Sequence, residues 1–337
     1  MYITGIEYFK LDLPLSEPYT IAYETVTKAE NVILKIFTSE GITGWGCSAP
    51  DKEITGETAS EVIEAIENQV FPYLKGQNPL SIALHHEGLR KILGKKQSTL
   101  AMIDMALYDI LARKAGVPMY QILGGYRERI QTSITIGICS IEETLEKAIS
   151  FKKAGFEIIK LKGGLNLEED IEKVFLLREK FGKSLVLRFD ANQGYSIADA
   201  IQFVKSTKPA EIEILEQPTD HKNDFALKQI TDEVHIPVMA DESLRNLNDA
   251  FRLSSGGMMD MANIKIMKVG GITEAFHINS VAKAAGMEVM VGCLDETALG
   301  ISAGLHFALS RPNVHFADLD GHLDLLNDPF THLFELK

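Results

Sequence analysis

Over the first fifty residues, apolar and polar side chains alternate in short runs at 3–13, 31–38 and 42–49, with Ser39, Glu40 and Gly41 as a turn between the last two. Alternation sends every second side chain to the same face of an extended chain, so this stretch predicts an antiparallel meander. From Thr58 to about Leu93, and again from Ser98 to Gly116, the period lengthens to that of a helix. In the second segment Ala101, Met102, Met105, Ala106, Tyr108 and Leu111 mark one face. Ser98 is the expected N-cap, and Gly116 with Pro118 is the expected stop. Residues 1–118 therefore read as an α+β domain.

Beyond it, β-rich runs at 132–137, 157–162, 185–190, 212–216, 236–241, 261–267, 288–292 and 314–318 are separated by amphipathic stretches of helix length. Residues at or near the run ends (Thr135, Lys162, Asp190, Glu216, Asp241, Lys265, Gly292, Asp318) recur every 24 to 28 positions. A βα unit repeated eight times at near-constant length is what a parallel barrel requires. The competitor is a doubly wound open sheet, but no G-x-G-x-x-G follows any run and no G-x-x-x-x-G-K-[ST] is present. The expected fold is α/β: a (β/α)8-type TIM barrel over 119–318, preceded by the α+β capping domain at 1–118. Residues 319–337 are expected to pack back on the cap or barrel.

Composition removes several function classes. The 337 residues carry 47 acidic against 34 basic side chains, a formal charge of -13, which disfavours a nucleic-acid backbone or an anionic membrane as partner. Three distant cysteines, Cys47, Cys139 and Cys293, have no C-x-x-C spacing, so neither a disulfide framework nor a structural zinc cluster is expected. No stretch reaches the about 18 apolar residues of a membrane span, and the N-terminus lacks the pattern of a signal peptide. A reduced, cytoplasmic setting is expected.

The chemistry is expected at the C-terminal strand ends, where the loops of such a barrel converge. In 158–162 the period of two puts Ile158, Lys160 and Lys162 on one face, so two lysines point into the mouth. Three successive runs end in Asp190, Glu216 and Asp241. Any one of these alone reads as a helix cap. Three on consecutive strands would repel one another unless a hard cation with oxygen ligands, Mg2+ above all, sits among them. In 263–268, Asn263 and Lys265 share a face, whereas Lys268 has the opposite parity and is expected in a loop or helix start. The second and sixth strands of an eight-stranded barrel are diametrically opposed, which sets Lys162 and Lys265 on two sides of the cation. A cation holding a substrate carboxylate stabilises the enediolate formed on loss of an α-proton, and a lysine on each face can remove or return that proton.

On these residues, Lys160-x-Lys162, the Asp190, Glu216, Asp241 series and Asn263-x-Lys265 behind an α+β cap, the chain resembles the enolase superfamily and its muconate-lactonising subgroup over essentially its whole length. The resemblance implies one Mg2+ per subunit on the three carboxylates and Lys162 and Lys265 as the acid/base pair. Lys160 would lower the proton affinity of Lys162. The subgroup includes cycloisomerases, o-succinylbenzoate synthases, N-acylamino acid racemases and dipeptide epimerases. Asp318-x-Asp320, at the last strand end, resembles the epimerase signature that binds a substrate ammonium. In Ala-Glu epimerases a cap-loop arginine meets the glutamate; here Glu24 stands at the corresponding place and would repel an acidic residue. The expectation is thus an isomerase acting on Ala-X dipeptides, X hydrophobic or polar and not Glu. An Ala-Glu epimerase, another reaction of the subgroup, and a catalytically silent peptide-binding barrel are the alternatives. Thr135 is expected to touch the peptide, and Gly292 and Cys293 to form pocket wall, Cys293 without a nucleophilic role. Gly163, Gly164, Gly270 and Gly271 read either as turn residues or as points of close approach to substrate. His85 and His86 lack the H-E-x-x-H spacing and are expected at the surface. A homo-oligomer is left open.

Overall fold

In a computed structural model, which describes every residue except Tyr23 and Glu24, the chain opens with a three-stranded antiparallel meander. Its strands are β1 (Ile3–Thr20), β2 (Thr25–Thr38) and β3 (Thr43–Ser48). β1 runs further than the alternation predicts, past Pro14 and Pro18, and the ladder becomes irregular between Pro14 and Tyr19, where proline supplies no N–H. Both faces of β2 are buried. Val32, Leu34 and Ile36 pack on the cap helices, while Ile33 joins the barrel's hydrophobic core.

The cap helices are α1 (Ala59–Ala65), continued through a π-helical turn at Ile66–Val70 into α2 (Phe71–Leu74), then α3 (Ile82–Leu93), α4 (Gln97–Ala115) and α5 (Met119–Ile122). The helical stretch expected over 58–93 breaks after Leu74, where Gly76 has φ +78°. Thr58 caps α1 through a reciprocal bond pair with Glu61. Ser98 is not the N-cap of α4, which starts at Gln97; Ser98 is fully buried, and its N–H and hydroxyl both donate to Glu57, at 2.7 and 2.8 Å. Gly116 ends α4 in the left-handed region, as expected. His85 and His86 are not at the surface: both are buried, bonded through Nε2 to the carbonyls of Asn78 and Gly270.

The remainder alternates strand and helix: β4 (Ile134–Ile136), α6 (Ile141–Lys153), β5 (Ile158–Lys162), α7 (Leu167–Phe181), β6 (Val186–Asp190), α8 (Ile197–Ser206), β7 (Leu215–Glu216), α9 (Asp224–Glu233), β8 (Val238–Ala240), α10 (Leu247–Ser255), β9 (Met261–Lys265), a short α11 (Ile266–Val269), α12 (Ile272–Ala284), β10 (Glu288–Gly292), α13 (Ala298–Ser310) and β11 (Val314–Ala317). β4 to β11 form one eight-stranded parallel sheet in sequential order, curled so that its two edges meet at a Thr132–Ala317 bridge. There the Ser133 N–H donates to the Ala317 carbonyl at 3.1 Å. The eighth repeat differs from the others: turns follow β11 in place of a helix. This segment is drawn back to β1, with a Leu15–Leu325 bridge, the Leu326 N–H on the Pro14 carbonyl at 2.9 Å, and an apolar cluster of Leu13, Leu15, Ala29 and Leu325. Among the described residues no helix is long and apolar enough to cross a membrane.

Parity along the strands layers the barrel interior. Ile159, Leu161, Leu187, Phe189, Ala262, Ile264, Val289 and Val291 face the helices in the main core. Ile214, Met239, Met261 and Met290 plug the interior, with Arg188 over the Phe316 ring. Two residues further along the same strand faces come Asp190, Glu216, Asp241, Asn263 and Asp318.

Candidate active site

The register sets the charged side chains of the mouth side by side. Thr135 pairs with Lys160, Lys162 with Asp190, Asp190 with Glu216, and Lys265 with Gly292. β5 and β9 stand four strands apart in the curled sheet, so Lys162 and Lys265 rise from opposite walls. Above them lies a cavity of about 820 Å³, lined by Thr135, Lys160, Lys162, Lys265, Cys293, Asp318 and Asp320 from the barrel, with Tyr19, Ile21 and Ile54 among those from the cap.

Lys160 is the electrostatic centre of this layer. It is buried, its ammonium touches Asp318, and it lies 3.6 Å from Glu216 and 3.9 Å from Asp190. Burial alone would lower its pKa, but Asp318, Glu216 and Asp190 carry it well above the usual lysine value. Its charge is balanced locally by three carboxylates. On the other side, Asp241 accepts from Lys265 at 2.8 Å and from Lys268. Burial pushes the Asp241 carboxyl up, but the two ammoniums outweigh burial and hold it well below the usual carboxylate range.

Lys268 is a participant that strand parity misses. It sits in α11, fully buried, and also donates to the Asn263 carbonyl at 3.2 Å. A helical turn beginning at Ile266 brings position 268 back beside position 265, the i,i+3 relation that alternation cannot show. Glu242 is a second such residue: it is buried and lines the cavity, and burial and Asp241 push its carboxyl up to about 7.

Asp190, Glu216 and Asp241 fall on adjacent strand ends, yet among the described residues no three His, Cys, Asp or Glu side chains already converge as a metal cluster. The positive charge against them is ammonium, from Lys160 on one side and Lys265 with Lys268 on the other. Their donor chemistry nevertheless fits a hard divalent cation. Burial, with repulsion from Asp190 and Asp241, raises Glu216 to about 7 despite Lys160, and burial raises Asp190. Glu216 Oε1 accepts from Asn263 at 2.6 Å, while Oε2 is buried with no hydrogen-bond donor. Three oxygen donors, one of them unsatisfied, match the ligands such cations take.

Asp318 accepts from Ser133 at 2.6 Å as well as from Lys160. Asp320 is less committed: the Thr135 N–H donates to it at 2.7 Å, and burial with the neighbouring Asp318 pushes it up to about 7. An ammonium group placed against this pair would relieve that repulsion. Cys293 lines the same wall, its thiol raised by burial and by the Asp320 carboxylate, to whose Oδ1 it donates at 3.9 Å. Gly292 does not line the cavity; a Cβ there would lie 2.6 Å from Asn263 Oδ1, so it is small to admit that side chain. The paired glycines also serve packing. A Cβ on Gly164 would meet the Ala191 carbonyl at 2.2 Å, and one on Gly271 would meet Asp104 of α4 at 2.6 Å. Glu24 lies outside the described residues.

Comparison with known proteins agrees with this geometry. Residues 4–124 match the mandelate racemase/muconate lactonizing enzyme N-terminal domain, and residues 143–337 match the enolase C-terminal domain-like family. The chain is 40% identical to the hydrophobic dipeptide epimerase of Enterococcus faecalis, over 95% of this chain and 90% of that protein. It is 38% identical to the L-Ala-D/L-Glu epimerase of Bacillus subtilis, over 98% and 91%. The crystal structure of the dipeptide epimerase from Enterococcus faecalis complexed with Mg and L-Leu-L-Tyr superimposes with a TM-score of 0.95 at 39% identity, covering 98% of this chain and 93% of that one. The chain therefore belongs to the mandelate racemase/muconate-lactonizing family of the enolase superfamily.

Proposed function

We propose that the chain is a Mg2+-dependent dipeptide epimerase, an isomerase that inverts the α-carbon of the C-terminal residue of an Ala-X dipeptide. The observation that carries this is Lys162 and Lys265 on opposite walls of one cavity, with Asp318 and Asp320 at its side. Relatives at 38 to 40% identity with that activity support it. Asp190, Glu216 and Asp241 would hold the cation, which supplies Lewis-acid stabilisation of the negative charge on the substrate carboxylate. One lysine takes the α-proton from its own face while the other, protonated, delivers a proton to the opposite face. Asp320, with Asp318, would take the substrate ammonium and so fix which α-carbon lies between the lysines. Thr135 holds Asp320 through its backbone N–H.

The two relatives differ in substrate, and near-equal identity does not choose between them. Glu24 favours a neutral X, hydrophobic or polar, over Glu. A panel of L-Ala-X dipeptides, incubated with enzyme and Mg2+ and read by chiral chromatography, tests both points. The expected result is epimerisation that EDTA abolishes, fastest with neutral X. Fastest turnover of L-Ala-L-Glu would reject the reading of Glu24.

A further inference from the structure

We propose that Tyr19 of the cap is a positioning residue for Lys162. The proposal rests on the epimerase reading above and deepens it: one of the two proton-transfer faces is built jointly by cap and barrel.

Tyr19 is held from several directions. Next to it, the Thr20 carbonyl accepts the Ile138 N–H of the β4–α6 loop at 2.8 Å. Gly137 lies so close beneath that a Cβ there would stand 3.0 Å from the Tyr19 Cβ. At the far end of the ring the phenol donates to Asp295 Oδ2 at 2.7 Å. Asp295 belongs to the β10–α13 loop, whose strand lies two places from β4 around the closed sheet, so the tyrosine joins two rim loops far apart in sequence. That loop is itself pinned. Fully buried Asn31 of β2 donates from Nδ2 to the Asp295 carbonyl at 3.0 Å and accepts the Thr297 N–H on Oδ1 at 2.9 Å, so one side-chain amide grips two backbone groups.

The Lys162 ammonium lies 5.9 Å from the centroid of the Tyr19 ring, within the range of a cation–π contact. Lys265 is fixed differently, by a 2.8 Å ion pair with Asp241. The structure thus gives the two lysines unequal support, Lys265 from a carboxylate inside the barrel and Lys162 from an aromatic ring delivered by the cap. Proton transfer depends steeply on where the base stands, since a displacement of about 1 Å can cost on the order of 100-fold in rate. Loss of the ring therefore acts on one face of the substrate.

Single-lysine variants separate the faces. In Lys265→Ala only Lys162 can take an α-proton, and in Lys162→Ala only Lys265 can; each exchanges that proton for a solvent deuteron on its own nitrogen and returns it to the same carbon. Exchange into L-Ala-L-Leu and L-Ala-D-Leu is followed by proton NMR in deuterated water, with Tyr19→Leu and Tyr19→Phe added to each background. The expected result is that Tyr19→Leu slows exchange in the Lys265→Ala background at least tenfold more than in the Lys162→Ala background. Tyr19→Phe, which keeps the ring and loses only the bond to Asp295, lies between. Equal slowing in both backgrounds, or none in either, would overturn the assignment. Absence of exchange by the wild-type enzyme with these peptides would count instead against the epimerase reading itself.

Discussion

Lys160 stands within 3.9 Å of Asp190, Glu216 and Asp318, three buried carboxylates that share one end of the barrel. Lys160→Met keeps the length of the side chain and removes the charge, leaving those carboxylates to repel one another in a poorly solvated place. Loss of one partner of a buried charge group costs about 3–5 kcal/mol, so urea unfolding in EDTA should show that order of destabilisation, with part of it recovered on adding Mg2+. An unchanged midpoint would contradict the charge balance described for the mouth. Asp320→Asn should lower kcat/KM for dipeptides about 10- to 100-fold, the worth of a hydrogen bond to a charged group, and mostly through KM. A cycloisomerase, with no ammonium to hold, would be indifferent to it. Strand parity alone was enough to place Lys160, Lys162, Lys265 and the acidic series, because a period of two is unambiguous within a strand. It placed Lys268 at a helix start, where it lies, but did not show that the turn returns its ammonium to Asp241, and it carried no signal for Tyr19, Asn31 and Asp295, whose meeting depends on how the cap docks on the barrel.

Local chemistry sets the ends of several helices. Ser140 caps α6 in a reciprocal pair with Glu143, and Ser196 does the same for α8 with Asp199. Ser140→Ala should cost about 1 kcal/mol in urea unfolding without altering the cavity. Ser98 shows where such reading stops: it has the right chemistry for a cap, but buried Glu57 competes for its hydroxyl and the N-cap falls two residues earlier, at Lys96. His85 and His86 were misplaced for a related reason. Polarity suggested solvent, yet His85 is buried within the cap, its Nε2 on the Asn78 carbonyl at 2.8 Å and its ring against Tyr73, while the Gly270 carbonyl bonds to His86 across the cap–barrel seam at 3.2 Å. Gly271, at φ +117°, forms the other side of the seam against Asp104, which accepts the Thr273 N–H and hydroxyl at 2.8 and 2.7 Å. Gly271→Ala combines backbone strain with a steric clash, so a loss of about 2 kcal/mol or more is expected. Wild-type stability of that variant would show the seam to be looser than drawn.

Cap and barrel hold one another around the cavity, and residues 319–337, expected on the cap or barrel, run back to β1, a contact that the 24- to 28-residue repeat alone does not specify. The repeat counts local units, whereas Leu325 is held by Leu13 and Leu15, some three hundred positions earlier. His306 marks the same junction farther from the mouth, stacked on Tyr120 and accepting its N–H at 3.3 Å. Burial lowers its pKa to about 4. The native state thus keeps it neutral while the unfolded chain takes up a proton below the ordinary value of 6.5, so the His306 contribution to stability falls as pH drops from about 6.5 towards 4. Urea midpoints over that range should decline less in His306→Gln; parallel declines would exclude His306 as a contributor. For the molecule as an enzyme, the decisive experiment is proton NMR of a neutral L-Ala-X dipeptide with enzyme and Mg2+ in deuterated water. Deuterium should enter at the α-carbon of the C-terminal residue and not at that of the first, both epimers should accumulate, and Lys162→Ala and Lys265→Ala should each abolish the interconversion. Absence of label at that carbon across the dipeptide panel, or interconversion that survives loss of either lysine, would contradict the two-lysine epimerase.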